Sequence, residues 1–291
     1  MKKIFLTGSS GFFGQNFNKI SKKKFVIFNN INVEQSIFLE NIIKINLLKR
    51  KEITQCLKKI SPDIILHAAA ITDVDYCEKN KNKALKTNFQ ITKNLVDIAS
   101  KKNLFFVFIS SDQLYDGSKK IYNERSKYSP CNYYALTKVK SEIYIRKKLN
   151  KYLIIRTNFF GKAPLNRKSF SDFVIQNIKS KKKISLFDDV IFNPLHIKTL
   201  IENINKLILL GKKGIYNISS DKPISKYDLG RKIINYLKLN KNYLLKSKIE
   251  NFSRFVAKRP KYMFLDNRKI KKNLNIQKLD INSDIKKLFL K

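Results

Sequence analysis

The chain has 291 residues, of which 43% are hydrophobic, enough for a folded core, so wholesale disorder is excluded. No run approaches the roughly 18 apolar residues of a membrane helix, and the apolar stretch after Met1 is too short for a signal peptide. The formal charge of +39 comes mostly from lysines spread along the whole chain, and only nine residues are arginines. This dispersion argues against a nucleic-acid-binding protein, and the composition fits A/T-rich codon usage.

Short apolar runs alternate with amphipathic segments along the first half of the chain. The runs predicted as buried strands are Lys3–Thr7, Phe25–Phe28, Ile42–Asn46, Asp63–His67, Leu104–Ser110 and Tyr152–Thr157. Helical periodicity is predicted over Phe12–Ile20, Lys51–Lys59, Ala84–Lys101 and Tyr134–Leu149. This alternation predicts an α/β fold with a parallel sheet covered on both faces, and right-handed crossovers make it a Rossmann-type doubly wound sheet.

The pattern loosens after Gly161. The later helices are predicted at Ser171–Lys179, Ile197–Leu210 and Lys226–Leu237, and the later strands at Ile184–Phe187 and Gly214–Ser219. This region has no phosphate-binding turn of its own. We therefore predict a Rossmann domain over residues 1–160 and a smaller C-terminal substrate-binding lobe over residues 161–291, with an approximate boundary and interleaved lobes.

Three of the eight glycines, Gly8, Gly11 and Gly14, stand within seven residues between the first strand and the first helix. A glycine-rich turn there directs free N–H groups and the helix dipole at a pyrophosphate, which predicts an NAD(P) site; a tight turn without a ligand is the alternative. The second strand ends at Asn29 without an acid. Asn29 can bind the ribose without repelling a 2′-phosphate, so the prediction is NADPH, with NADH possible.

Tyr134 and Lys138 form a YxxxK motif at the start of a predicted helix. The spacing places phenol and ammonium on one face, where the cation lowers the phenol's pKa and Tyr134 can act as general acid or base. The spacing alone also occurs by chance, as Tyr115 and Lys119 show. Ser111, at the carboxyl end of the fifth strand, is placed to hydrogen-bond a substrate oxygen, whereas Ser110 is predicted to be structural.

The glycine spacing, GxxGxxG, resembles that of the extended short-chain dehydrogenase/reductases, the NAD-dependent epimerase/dehydratase superfamily. Further motifs resemble the dTDP-4-dehydrorhamnose reductase family, with its RmlD-like substrate-binding domain. They are Ser110-Ser111-Asp112 with Asp116-Gly117, Ala68–Asp75 with Glu78, Arg156–Gly161, Asp189–Pro194, and Arg259-Pro260 with Leu265-Asp266.

The resemblance implies an oxidoreductase of dTDP-rhamnose and polysaccharide biosynthesis, which reduces the 4-keto group of a nucleotide-linked 6-deoxy sugar, dTDP-4-dehydrorhamnose to dTDP-rhamnose. Hydride would pass from nicotinamide to C4, Tyr134 would protonate O4, Ser111 would orient that oxygen, and Lys138 would hold the nicotinamide ribose. The implied cofactor positions are Gly8, Gly11, Phe12, Phe13, Gly14, Asn46, Ala68, Ala69, Tyr134 and Lys138, and the sugar-facing ones are Thr72, Val74 and Phe159. A cytoplasmic location and a possible homodimer are also implied.

Several residues depart from the family pattern. Phe159 replaces a Trp and Gln113 a Tyr, and Asn46 replaces the usual Asp. Gln15 stands where some members carry a Glu associated with a divalent ion, so no metal is predicted. The two histidines, His67 and His196, are predicted to be core or turn residues, and the three cysteines ordinary thiols.

Three alternatives remain at this point. A dehydratase typically places Asp-Glu after its catalytic hydroxyl, and the amide of Gln113 cannot replace that acid. A nucleotide-sugar 4-epimerase uses the same Tyr, Lys and Ser and stays open. A non-catalytic NAD(P)-binding subunit, such as the regulatory subunit of methionine adenosyltransferase, is disfavoured by the intact set of Tyr134, Lys138 and Ser111. The expected partner is thus a nucleotide sugar, with neither nucleic acid nor membrane.

Overall fold

The computed structural model describes residues 1–31, 39–163 and 169–289. Its strands are β1 (Lys3–Thr7), β2 (Val26–Asn30), β3 (Ile42–Ile43), β4 (Ile64–His67), β5 (Phe105–Ile109), β6 (Tyr152–Arg156), β7 (Phe159–Phe160), β8 (Ile184–Phe187), β9 (Ile191–Phe192), β10 (Leu195–His196), β11 (Gly214–Asn217), β12 (Ile224–Ser225), β13 (Leu244–Ser247) and β14 (Tyr262–Met263). Seven of them form one sheet in the order β11-β6-β5-β4-β1-β2-β3, in which every neighbouring pair is parallel.

Helices cover the two faces of this sheet. They are α1 (Phe12–Ser21), α2 (Arg50–Ile60), α3 (Val74–Lys79), α4 (Lys81–Ala84), α5 (Ile91–Lys101), α6 (Tyr133–Lys148), α7 (Phe170–Lys179), α8 (Ile197–Leu209), α9 (Lys226–Tyr236), α10 (Arg268–Leu274) and α11 (Ile281–Lys286), with a π-helical segment at Leu85–Gln90. Alternate residues of β1 point to opposite sides: Ile4 and Leu6 join the core beneath α1 and α8, whereas Phe5 joins the core beneath α2, α5 and α6. The predicted α/β, Rossmann-type class is confirmed.

Two predicted elements differ most from the observed ones. The third strand was expected to reach Asn46 but ends at Ile43, and the Asn46 Oδ1 instead accepts the Leu48 N–H (2.9 Å) in a turn that leads into α2. The helix predicted over Ala84–Lys101 contains the π-helical segment before α5, which residue periodicity does not distinguish from α-helix.

Smaller sheets lie beyond the large one. β12, β9 and β14 form a three-stranded sheet, β10 pairs with β7, and β13 pairs with β8 in parallel. The helices α7, α9 and α11 pack around these strands through two further apolar clusters. No helix in the described residues is long and apolar enough to cross a membrane.

The later part of the chain also returns to the large sheet. β11 is its edge strand beside β6, and the apolar face of α8 packs in the same core as α1. Segments from beyond residue 161 therefore contribute to the sheet layer. The division into a domain over residues 1–160 and a lobe over residues 161–291 stays a prediction. The interleaving of the domain and the lobe is an essential part of that prediction.

Candidate active site

The glycine turn between β1 and α1 packs against the turn that follows β4. Gly8 has a φ of +72°, and a Cβ placed there would lie 2.7 Å from the Ala69 backbone nitrogen. A Cβ on Gly14 would lie 2.3 Å from the Gly8 carbonyl oxygen. Gly8 and Gly14 are therefore required by close backbone packing, and they bring the amino end of α1 to the carboxyl edge of the sheet.

The amino end of α1 is built to accept a negative group. Its N-cap is Gly11, so no side chain caps the helix, and the first turn contains no acidic residue. The exposed N–H groups and the positive end of the helix dipole are thus left for a ligand, which suits a phosphate. Phe12 and Phe13 open the helix, and the Phe159 ring packs on both, with centroids 5.5 and 6.2 Å away. Phe159 therefore lies beside the glycine turn.

Gly14→Ala is expected to lower the free energy of unfolding by about 1–3 kcal/mol, because the added methyl overlaps the Gly8 carbonyl and the backbone has to shift. Gly11→Ala is the matched comparison, since its Cβ would meet only one described neighbour, the Gly8 carbonyl oxygen at 3.1 Å. Urea unfolding of the two variants measures the difference. Equal stability of Gly14→Ala and the unmodified chain would contradict this account.

Asn29 does not take the ribose-binding role that its position at the end of β2 predicts. Its side chain is 1% exposed. Its Oδ1 accepts a hydrogen bond from Asn18 (2.7 Å), and its Nδ2 donates to the Glu40 carbonyl (2.7 Å). Both ends of the amide are therefore used inside the protein, where they tie β2 to α1 and to the segment before β3. Asn46, the other cofactor candidate in this region, is exposed at the same edge of the sheet.

Helix α6 carries Tyr134 and Lys138 and is anchored at its amino end. The Asn132 Oδ1 accepts the Ala135 N–H (2.8 Å), and a Glu78 carboxylate oxygen accepts the Tyr133 N–H (2.8 Å). Tyr134 and Lys138 are both buried, one turn apart on the side facing the strand ends. The position of the YxxxK motif is thus fixed by a helix cap and an acid from α3.

The Lys138 ammonium lies under the end of β5. It donates to the Ile109 carbonyl oxygen (2.9 Å) and stands 4.7 Å from the centroid of the Phe108 ring. In the described part of the chain this carbonyl is its one hydrogen-bond acceptor, which leaves two of its three N–H groups for a ligand.

The two serines after β5 face different surroundings. Ser110 donates to the buried Glu142 carboxylate (2.5 Å). The Ser111 hydroxyl is close enough to the Tyr134 phenol to influence its pKa, and it donates to Asp112 (3.2 Å) and accepts the Gln113 N–H (3.1 Å). The hydroxyl that meets Tyr134 is therefore that of Ser111.

Burial has the largest effect on the pKa values of Tyr134 and Lys138. Burial raises the pKa of the Tyr134 phenol above its ordinary value, with the nearby Ser111 hydroxyl acting in the opposite direction. It lowers the pKa of Lys138 to about 8, with the Glu142 charge opposing it. The sequence-based expectation that Lys138 lowers the pKa of Tyr134 does not hold in this arrangement, because the phenol is desolvated and the ammonium is bonded to Ile109. Tyr134 is therefore protonated at neutral pH, the form that can donate a proton.

The segment after β4 is held against the same site. Ala68 and Ala69 face the glycine turn, where the Ala69 N–H donates to the Thr7 hydroxyl (3.3 Å). Thr72 is exposed, whereas Val74 is buried in one apolar cluster with Tyr134 and Ala257. Val74 thus lies beside the phenol, and Thr72 lies at the surface of this loop.

A residue that sequence reasoning missed, Asn88, holds this loop in place. It lies in the π-helical segment, and its amide accepts the Ile71 N–H (2.8 Å) and donates to the Ile71 carbonyl (3.0 Å) and the Thr137 hydroxyl (3.2 Å). The loop bearing Thr72 is thereby attached to α6. An asparagine inside a predicted helix gives no sign of this role, because the π-helical turn that aims it is invisible to periodicity.

His67 is a fully buried, neutral residue beneath the site. Its ring nitrogens contact the hydroxyls of Thr7 (2.7 Å) and Thr92 (2.9 Å), so it connects β1, β4 and α5. Burial, with a smaller contribution from the Lys138 charge, lowers the pKa of His67 to about 3. His196 is buried as well, and its Nδ1 accepts the Lys198 N–H at the start of α8.

The free energy of unfolding is expected to fall by about 2 kcal/mol between pH 7 and pH 5 through His67 alone, at about 1.4 kcal/mol per pH unit below the unfolded pKa. The unfolded residue takes up a proton below its ordinary pKa of 6.5, whereas the folded one stays neutral to about 3, so its stabilising contribution is lost as the pH falls. Denaturant unfolding of the chain and of His67→Gln at both pH values measures the difference. Identical pH dependence of the two would refute it.

No cluster of three or more His, Cys, Asp or Glu side chains suited to a metal ion occurs in the described ranges. Asp112, beside Ser111, is the nearest buried acid, and burial raises its pKa to about 6, with the Asn158 amide (2.8 Å) and the charge of Lys226 opposing the shift. The site therefore consists of a phenol, an ammonium, a hydroxyl and a carboxyl beside a glycine-lined helix end.

Comparison with known proteins agrees with this arrangement. The profile of the RmlD substrate-binding domain matches residues 1–291. The chain is 24% identical over 300 residues to dTDP-4-dehydrorhamnose reductase of Aggregatibacter actinomycetemcomitans (99% of this chain, 98% of the relative). It is 22% identical over 286 residues to the probable low-salt glycan biosynthesis reductase Agl14 of Haloferax volcanii (97% and 95%).

Among solved structures, dTDP-4-dehydrorhamnose reductase of Bacillus anthracis in complex with NADP superposes with a TM-score of 0.89 and 25% identity, covering 99% of this chain and 98% of that one. The family resemblance drawn from the sequence motifs is therefore confirmed, and the likeness extends over the whole length of both proteins. The chain belongs to the RmlD substrate-binding domain family, within the NAD-dependent epimerase/dehydratase superfamily.

Proposed function

We propose that the chain is an NAD(P)H-dependent reductase of a nucleotide-linked 4-keto-6-deoxy sugar, with dTDP-4-dehydrorhamnose as the expected substrate and dTDP-rhamnose as the product. The observation that carries the proposal is that α6 holds Tyr134 and Lys138 against the carboxyl end of β5, where Lys138 bonds the Ile109 carbonyl and Ser111 lies near the phenol. Both hydroxyls can reach one substrate oxygen there, and Lys138 lies one helical turn away. Family membership and the reductases among its relatives support it further.

The residues of the chain fit a dinucleotide. The uncapped end of α1 suits the pyrophosphate, and Gly8, Gly11, Phe12, Phe13 and Gly14, with Ala68 and Ala69, form the surface around it. Lys138 has spare N–H groups for the nicotinamide ribose. The buried Asn29 presents no acid, so a 2′-phosphate is not repelled by this residue, and we propose NADPH, with NADH as the alternative. When bound, the reduced nicotinamide supplies the hydride to C4.

The side chains supply the proton. Tyr134, which burial keeps protonated, donates its proton to O4 as the carbonyl becomes an alkoxide. Ser111 donates a hydrogen bond to the same oxygen and fixes its position. The proposed role of Lys138 is to hold the nicotinamide ribose with the N–H groups that the Ile109 carbonyl leaves free. Thr72 and Val74 are proposed to face the sugar, with Phe159 nearer the glycine turn.

Two related reactions are less well supported. Water loss needs an acid after Asp112, and the amide of Gln113, whose oxygen lies 3.5 Å from the Asn132 amide nitrogen, cannot transfer a proton. A 4-epimerase would use the same three residues, but it would return its nicotinamide unchanged. A non-catalytic regulatory subunit would not require the hydroxyls of Tyr134 and Ser111 to lie close together.

The test is incubation of the protein with dTDP-4-keto-6-deoxy sugars and NADPH or NADH while the nicotinamide absorbance at roughly 340 nm is followed. Stoichiometric loss of absorbance with formation of the 4-hydroxy sugar is the expected result. Absence of oxidation with every such sugar would reject the proposal. Sugar isomerisation without net oxidation would favour the epimerase.

A further inference from the structure

Asp112 is a buried carboxyl beside the hydroxyl that is proposed to hold the substrate oxygen. The residue is 2% exposed. One of its oxygens, Oδ1, accepts the Ser111 hydroxyl (3.2 Å), and the other, Oδ2, accepts the Asn158 amide N–H (2.8 Å). The two carboxyl oxygens therefore have different neighbours, a hydroxyl on one side and an amide nitrogen on the other.

The hydrogen bonds of Ser111 limit what its hydroxyl can do. A hydroxyl has a single proton, and Ser111 gives it to Asp112 while its oxygen accepts the Gln113 N–H (3.1 Å). The same proton is needed for the hydrogen bond to O4 in the proposed reduction. If it turned to O4 while Asp112 was charged, two buried acceptor oxygens would face each other 3.2 Å apart with no proton between them. A charged Asp112 therefore competes with the substrate for the Ser111 proton.

A neutral Asp112 removes this competition. The Asn158 Nδ2 can only donate, so Oδ2 remains an acceptor and the proton of the neutral carboxyl lies on Oδ1. From there it is donated to the Ser111 oxygen along the contact that is already present, and the Ser111 proton becomes available for O4. The Asn158 amide thus selects the carboxyl oxygen that carries the proton, and the change requires the reversal of one hydrogen bond.

The charges around Asp112 allow both protonation states. Burial disfavours the carboxylate and raises the pKa of Asp112 to about 6, whereas the Asn158 amide, the Lys226 charge of α9 and the Ser111 hydroxyl act in the opposite direction. Tyr134 of α6 is also close enough for the Asp112 charge to influence it, but burial raises the pKa of that phenol well above neutrality. Asp112 therefore changes its charge near neutral pH, while the phenol keeps its proton.

We propose that Asp112 is a positioning residue for Ser111: its neutral carboxyl donates to the Ser111 hydroxyl and directs the Ser111 proton to the substrate oxygen. This inference rests on the proposed function and deepens it, because it assigns the direction of the hydrogen bonds around O4. Asp112 transfers no proton to the sugar. Hydride still passes to C4 and the proton of Tyr134 to O4, and the active form of the protein is the one in which Asp112 is neutral.

The experiment measures kcat/KM for the 4-keto sugar nucleotide from about pH 5 to about pH 8, because this ratio reports ionisation in the free protein. The unmodified chain should lose activity as the pH rises through about 6, where Asp112 loses its proton. The loss should reach about two orders of magnitude, the contribution of one hydrogen-bond donor to a developing oxyanion.

Three variants assign this pH dependence. Asp112→Asn imitates the neutral acid, because its carbonyl can accept from Asn158 and its NH2 group can donate to Ser111; it should lose the decline and be at least as active as the unmodified chain at pH about 8. Asn158→Ala removes a hydrogen bond that favours the carboxylate, so it should move the decline to higher pH by about one unit. Asp116→Asn, the same change at an exposed aspartate, is the control and should keep the profile of the unmodified chain.

A decline retained in Asp112→Asn, with activity lowered by the same factor at every pH, overturns the inference, because a purely structural carboxyl would give that result. Titration of Asp112 followed by carboxyl-carbon NMR needs no catalysis. Ser111→Ala removes a donor to the carboxylate and should raise the pKa of Asp112, and an unchanged titration in this variant overturns the inference as well. If Asp112 responds to Ser111 in this way but the unmodified chain reduces no sugar, the proposed reaction alone is rejected.

Discussion

Tyr134→Phe is expected to lower kcat for sugar reduction by about two to four orders of magnitude, the usual contribution of a positioned general acid. The change removes one oxygen atom, the one that meets Ser111, and leaves the ring in its cluster with Val74 and Ala257. The fold and the glycine turn are untouched. Affinity for NADPH, measured by fluorescence titration, should therefore change little while turnover falls.

Tyr133→Phe is the matched control for this result. Tyr133 is the first residue of α6, its ring lies 5.7 Å from the Lys81 ammonium, and no described residue hydrogen-bonds its phenol. Its loss of a hydroxyl should leave turnover near that of the unmodified chain. Comparable activity of Tyr134→Phe and Tyr133→Phe would remove Tyr134 from its proposed role.

The sheet was predictable because its strands are short apolar runs with polar ends. β1 was predicted to the residue, and β4 and β5 within one residue at each end. The boundary of β3 was not, because Asn46 forms a local turn that competes with strand pairing. The placement of β11 beside β6 was not predictable either, because it depends on contacts between residues distant in sequence, which no local pattern contains.

The site was predictable where a motif has a fixed spacing. The one-turn separation of Tyr134 and Lys138 and the glycine turn after β1 follow from local geometry. The sequence allows Asn29 to bind a ribose, and its sequence position does not reveal that Asn18 and Glu40 use both ends of its amide. Asn88 could not be found, since its role depends on a π-helical turn.

A buried ion pair connects the proposed catalytic helix to the sheet. Arg156 at the end of β6 is 1% exposed and Glu142 of α6 is 0% exposed. The Arg156 guanidinium contacts both carboxylate oxygens, the closest at 2.7 Å. Further hydrogen bonds come from Ser110 and Tyr128 to Glu142 and from Arg156 to Tyr115. The pair thus joins α6, one turn after Lys138, to the serine that precedes Ser111.

Glu142→Gln is expected to lower the free energy of unfolding by about 3–5 kcal/mol, because it leaves the Arg156 charge buried without a counter-charge. The exposed pair of Lys261 and Glu250 gives the control, since Glu250→Gln removes a charge that water already screens and should have a much smaller effect. Urea unfolding at neutral pH measures both. A loss in Glu142→Gln no larger than that in Glu250→Gln would contradict the role assigned to the pair.

The double variant Glu142→Met with Arg156→Met separates the cost of an unpaired charge from the loss of the network itself. Both charges disappear together and the apolar side chains fill similar volumes, so the double variant should be more stable than Glu142→Gln. Catalysis should not recover with stability, because Ser110 loses its acceptor and the segment that carries Ser111 keeps the Lys138 bond to Ile109 but loses its second link to α6. A double variant that regains both stability and full turnover would show that the ion pair serves folding alone. Recovered stability with a lower kcat would instead make Glu142 a positioning residue for Ser111.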